Sequence, residues 1–144
     1  VGIIEYLRII YGKQRKHLEF IQAVLSRMAG NLFFLRGWTI TLIAALLALF
    51  AKGTNSNYIV YFLIVLTFVF WILDGYFLSQ ERLYRDLYNH VRKLKEGEID
   101  FSMDTSEYKK YKKNTLIYSM FSSTLLIFYL PLIIAALVIT DLIK

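Results

Sequence analysis

A chain of 144 residues, 57% of them hydrophobic, with no cysteine and a net charge of +6, is one domain at most and not a soluble one. Its apolar residues fall in long uninterrupted runs, whereas a soluble domain of this size spreads them in short periodic patches. Without cysteine a disulfide framework and a thiolate metal site are excluded. The basic residues flank the apolar runs, so anionic lipid and membrane topology explain the charge better than nucleic acid does.

Residues 1–30 read as a cytoplasmic amphipathic helical segment. Its first stretch, Val1, Gly2, Ile3, Ile4, Glu5, Tyr6 and Leu7, looks like a short element lying at the membrane interface. The chain opens on Val1 rather than methionine, which leaves room for a few residues before it. No cleavable signal is expected, because the first long apolar run starts after residue 30 and no small-residue cleavage site follows it. Leu18, Ile21, Leu25 and Met28 then repeat at helical spacing, with Lys16, Glu19, Gln22 and Arg27 off that stripe. No proline intervenes before the first apolar run, so this helix is expected to continue into the membrane.

Three apolar runs follow, at residues 37–51, 58–73 and 114–140. About 20 helical residues cross the hydrocarbon core, so the first two runs span only by including Arg36 and Asp74, as 32–51 and 58–78. The third is long enough to span with tilt, kinked at Pro131. The turn-rich connection Lys52-Gly53-Thr54-Asn55-Ser56-Asn57 makes the first two spans an antiparallel hairpin over residues 31–78. Of 17 Lys and Arg, 6 lie in residues 1–36 and 9 in residues 79–113, with one in the hairpin connection and one at the C-terminus. The positive-inside rule then puts the N-terminus in the cytoplasm, and the hairpin tip and C-terminus on the far side of the membrane.

Residues 79–113 are predicted to hold a cytoplasmic helix and a polar loop. Leu83, Leu87, Val91 and Leu94 form a second stripe, with Gly97 as its C-cap. The two stripes either pack together as a stalk or, through Leu83, Leu87 and Val91, also contact a cytoplasmic partner protein. In the polar loop, Asp104 followed by Glu107 resembles a capping box opening the third helix, with a ligand-binding loop as the alternative. Lys109, Lys110, Lys112 and Lys113 beside Tyr108 and Tyr111 read as an anionic-lipid contact, generic or lipid-specific. Residues 114–144 hold the third transmembrane helix.

The charges inside the spans carry most of the functional signal. Arg36 lies 18 residues before Thr54 and Asp74 lies 20 after it, so a hairpin brings them to similar depth. An ionised residue at bilayer depth costs about 2.5–3.5 kcal/mol on insertion scales, and a partner offsets this. The pair serves either as a structural clasp with snorkelling, or as a polar ring around a pore or a gate. Gly37, Thr41, Ala44, Ala45 and Ala48 form a small-residue face suited to close helix contact in lipid. Ser119, Ser122, Ser123 and Thr124 cluster in the third span, either lining water or bonding back to their own helix.

His17 and His90 stand apart without metal-ligand spacing, and no catalytic triad, phosphate-binding glycine loop or paired carboxylates occur. No cofactor, metal or enzymatic activity is expected, and a lipid-acting enzyme is a distant third reading. Arg27-Met28-Ala29 with Asn31, Gly37-Trp38, Phe70-Trp71, Leu73-Asp74, Glu81-Arg82 and Tyr84-Arg85 give the chain a likeness to a known group. Over residues 17–95 it resembles small bacterial membrane effectors of the SLATT type, found with nucleotide-second-messenger and other anti-phage systems. The resemblance implies a pore-forming or membrane-disrupting effector, although that group's usual plan lacks the third span. The expected fold is thus all-α, with three transmembrane helices and the hairpin extended by cytoplasmic amphipathic helices. The expected function is a homo-oligomeric membrane effector that forms a pore or depolarises the membrane. The alternative is a non-conducting anchor or scaffold holding a partner at the cytoplasmic face.

Overall fold

The computed structural model describes residues 2–53 and 56–143. Among them every regular element is a helix, and three helices are long and apolar enough to cross a membrane. The first, α1, runs unbroken over Ile3–Ala51. Its 49 residues extend about 73 Å at about 1.5 Å each, against about 30 Å of hydrocarbon. The absence of proline before residue 131 lets one helix serve both a polar and an apolar half. It ends where the N–H groups of Lys52 and Gly53 bond back to the carbonyls of Leu49 and Phe50, with Gly53 at φ +78°. That left-handed residue is the reason for a glycine at this helix end. The connection predicted over residues 52–57 falls partly on Thr54 and Asn55, which lie outside the described residues.

Helix α2, Ser56–Val91, packs along α1. The contacts run in opposite chain order: Gln14 meets Val91, Arg92 and Leu94, Arg36 meets Asp74, and Ile43 lies in one cluster with Leu63. Beyond α2 the chain passes through short 3-10 turns to a five-residue helix α3, Leu116–Met120, and then α4, Ser123–Ile143. The 21 residues of α4 extend about 31 Å, close to the hydrocarbon thickness.

Two apolar cores result. Ile21, Leu83, Leu87, Val91 and Tyr108 form one, flanked by Leu18 and Leu25. Ile43, Leu63 and Ala136 form the other, where α1, α2 and α4 converge. The two stripes seen in the sequence therefore pack on each other. Outside the second core, Phe33, Phe34, Trp38, Phe62 and Leu142 are exposed, an apolar surface that suits hydrocarbon.

Three local expectations are corrected. The second stripe does not run to Gly97: α2 ends at Val91, and Gly97 sits in a 3-10 turn, Glu96–Glu98. The Gln14 side chain of α1 explains the earlier end, since its Nε2 donates to the carbonyls of Val91, Arg92 and Leu94 at 3.2, 3.2 and 3.0 Å. Asp104 and Glu107 form no capping box. Asp104 Oδ1 accepts the N–H of Ser106 at 2.9 Å, a local turn, and opens only the 3-10 turn Ser106–Lys110. Bonds from the Ser106 hydroxyl and from its N–H hold the Asp104 carboxyl below its ordinary pKa. The third apolar run is two helices, not one. The break falls at Phe121 and Ser122, while Pro131 lies inside α4 without ending it.

Candidate functional site

Asp74 is fully buried, and Arg36 reaches it side-on from α1. Arg36 Nε donates to Oδ2 at 2.8 Å and Nη2 to Oδ1 at 3.1 Å, the bidentate fork that matches a carboxylate. The Arg36 side chain keeps 28% of its surface exposed against 0% for Asp74. Its guanidinium lies 5.6 Å from the centre of the Phe128 ring of α4. A lone buried carboxylate costs several kcal/mol, and the paired, doubly hydrogen-bonded arrangement offsets that cost.

The layer around the pair is polar and closely packed, and much of it was not singled out from the sequence. Thr39 is buried and returns its hydroxyl to the Leu35 carbonyl at 2.8 Å. Tyr129 of α4 is also buried; its Oη donates to the Phe70 carbonyl at 3.1 Å, and its ring stacks on Trp71 at 5.9 Å. Trp71 Nε1 donates to the Met120 carbonyl at 2.9 Å, at the end of α3. Gly75, next to Asp74, makes this approach possible, because a Cβ there would sit 2.4 Å from Met120 Cγ and 3.3 Å from Met120 Cα. Asp74-Gly75 thus puts a charge and a gap on neighbouring positions. A tyrosine six residues into the apolar helix α4 was the available signal for the rest of the layer.

The other expected residues separate. Gly37, Thr41, Ala44, Ala45 and Ala48 are all exposed, so neither α2 nor α4 covers that face of α1. Thr41 returns its hydroxyl to the Gly37 carbonyl at 2.9 Å. Ser119 is buried, its Oγ 3.4 Å from Arg82 Nη1. Ser122 is buried with a hydroxyl that has no partner, and Ser123 is exposed. Back-bonding is found instead at Thr39, Thr41, Thr67 and Thr140. Leu83, Leu87 and Val91 are buried within the chain and committed to the stalk core.

Of the four lysines, Lys113 is committed to Asp86 at 2.6 Å. Lys110 stands 3.8 Å from Glu107, and Lys109 and Lys112 are exposed. Asn114 Nδ2 bridges Asp86 Oδ2 at 2.7 Å and the Tyr108 carbonyl at 2.9 Å, so the polar loop is tied to α2. His17, 1% exposed, holds the Ser102 carbonyl from Nε2 at 2.9 Å, which fixes the same loop to α1. Among the described residues no group of three or more His, Cys, Asp or Glu is placed to hold a metal ion. No family model, no curated protein and no solved structure matches the chain.

Proposed function

We propose that this chain is a homo-oligomeric membrane effector that forms a pore or depolarises the membrane, and that it acts in bacterial anti-phage defence. In this reading α1 and α2 are an antiparallel hairpin in the inner membrane. The N-terminus, the stalk and the 79–113 segment are cytoplasmic, and the C-terminus is outside, a placement that the distribution of Lys and Arg supports. Oligomers are needed because three spans are too few to enclose a pathway. The observation that carries the reading is the uncovered small-residue face of α1, Gly37 to Ala48, rising directly from the Arg36–Asp74 layer. Small residues let a second helix approach closely in lipid, and Arg36 then supplies charge beside the contact. The likeness to SLATT-type effectors agrees with this reading over the hairpin and its stalk.

Reconstitution into vesicles tests it. Gly37 has open space where a Cβ would stand, so Gly37→Leu leaves the chain's own packing intact. The parent is expected to cross-link as an oligomer and to leak ions. Gly37→Leu, alone or with Ala45→Leu, is expected to lose both. Tight vesicles holding a monomeric parent would overturn the proposal.

One observation favours the alternative, a non-conducting scaffold. The segment of α1 before Gln14 runs past the end of α2, and Ile3, Ile4, Tyr6 and Ile9 are exposed on it. A cytoplasmic partner held by that end co-purifies and is lost with Ile4→Glu, without any leak.

A further inference from the structure

Arg82 is a charge without a counter-charge. It lies eight residues beyond Asp74 on α2, about 12 Å along the helix, and is half-buried. Its Nη1 donates to the Lys113 carbonyl at 2.6 Å, and its guanidinium lies 5.8 Å from the centre of the Tyr118 ring. The acids near it are already taken. Glu81 pairs with Arg85 at 2.6 Å, and Asp86 with Lys113 at 2.6 Å. Among the described residues Arg82 has no carboxylate within ion-pair distance. A guanidinium fixed in place and left uncompensated is a preorganised anion receptor.

A cleft of about 600 Å³ opens beside it, lined by Arg82, Lys112, Phe121, Ser122 and Ser123 among others. The break between α3 and α4 faces this cleft, so the N-terminus of the 21-residue α4 contributes to its wall. The N–H groups of Ser123, Thr124 and Leu125 have no earlier carbonyl within α4 to bond. The Ser122 hydroxyl, on a side chain more than nine-tenths buried, has no partner either. Two cations, a helix N-terminus and a spare hydroxyl converge on one cleft, and that set suits a phosphate group. The outer wall is different in kind: Ile117, Tyr118 and Phe121 are exposed and apolar. A charged pocket with an apolar rim at the start of a membrane-length helix fits a phosphate that carries acyl chains.

We propose that this cleft is a specific site for the phosphate of an anionic phospholipid headgroup. The proposal rests on the membrane-spanning reading but not on pore formation. It differs from a general lysine belt because Lys109 and Lys110 do not line the cleft.

The test uses the full chain purified in neutral detergent, with bound lipid read by native mass spectrometry and stability by thermal shift. Phosphatidylglycerol is expected to bind and raise the Tm, and phosphatidylcholine is not. Lys112 is exposed, so Lys112→Gln folds normally, and it is expected to weaken phosphatidylglycerol binding about tenfold. Ser122→Ala is expected to weaken binding too. A purely structural Ser122 predicts no loss, since an unpartnered buried hydroxyl contributes nothing by being kept. Lys93→Gln, an exposed cation that does not line the cleft, is the control and binds as the parent does. The same shift with inorganic phosphate alone supports the phosphate site but assigns it to a soluble source. Equal binding of both lipids, or parent-like binding in both Lys112→Gln and Ser122→Ala, overturns the site. Extraction of the chain from membranes by alkaline carbonate overturns the spanning reading instead, so the two failures are distinguishable.

Discussion

Arg36 and Asp74 are joined by two hydrogen bonds, of 2.8 and 3.1 Å, across the α1–α2 contact, and the two ends of that pair differ in their access to solvent. Asp74 is sealed in, whereas Arg36 keeps part of its side chain outside. The partners therefore respond unequally to loss of the other. Arg36→Gln strands a carboxylate that cannot reach water, and is expected to cost about 3–5 kcal/mol. Asp74→Asn costs less, because the freed guanidinium can snorkel toward the headgroups. Replacing both with leucine is expected to restore or exceed the parent's stability. Thermal unfolding of the four proteins in one detergent measures this, and an Asp74→Asn loss larger than that of Arg36→Gln contradicts it.

Gly75→Ala is expected to destabilise the α2–α3 contact by about 1–3 kcal/mol, since the new Cβ would meet Met120 at 2.4 Å. The Trp71 bond to the Met120 carbonyl should break with it, shifting tryptophan emission to the red. Met120→Ala in the same chain should recover part of both, since the nearest clash is with the Met120 side chain.

Gln14→Leu removes the donor that closes α2 and is expected to cost about 1–2 kcal/mol. Faster amide exchange confined to the last turn of α2 identifies the cause. Exchange raised evenly along the helix contradicts the assignment.

Much of this was legible in the sequence. The three helices long and apolar enough to cross a membrane, the paired stripes and the meeting of Arg36 with Asp74 follow from run length, helical period and residue counting alone. What could not be read was set by contacts between distant segments. Gln14 gives no local sign that it will end a helix 77 residues later. The break at Phe121 and Ser122 lies in a run with no glycine or proline nearby. The polar layer around Asp74 draws Thr39, Tyr129 and Trp71 from three helices, and of these Tyr129 alone stands out on its own helix, the apolar α4. Arg82 was hidden for a related reason: it looks like one more flanking cation until Glu81 and Asp86 are seen to be occupied.

Tyr108 ties the stalk to an alkaline limit. Burial pushes its phenol above the ordinary tyrosine pKa, so folding favours the neutral form. A folded-state pKa raised above the unfolded value of about 10 contributes stability that is intact below about pH 10 and lost above it as the phenol ionises. Helicity and melting followed from pH 8 to 11 should show this fall, and Tyr108→Phe should flatten it. A parent and Tyr108→Phe with the same alkaline profile would show that the phenol is not responsible.

The most direct test of the central claim is membrane potential in bacteria expressing the chain, read with a voltage-sensitive dye beside Asp74→Asn at matched membrane levels. Depolarisation by the parent that Asp74→Asn abolishes is the predicted result, and it puts control of conduction at the Arg36–Asp74 layer. An unchanged potential with the parent confirmed in the membrane contradicts a conducting assembly and leaves the scaffold as the standing account.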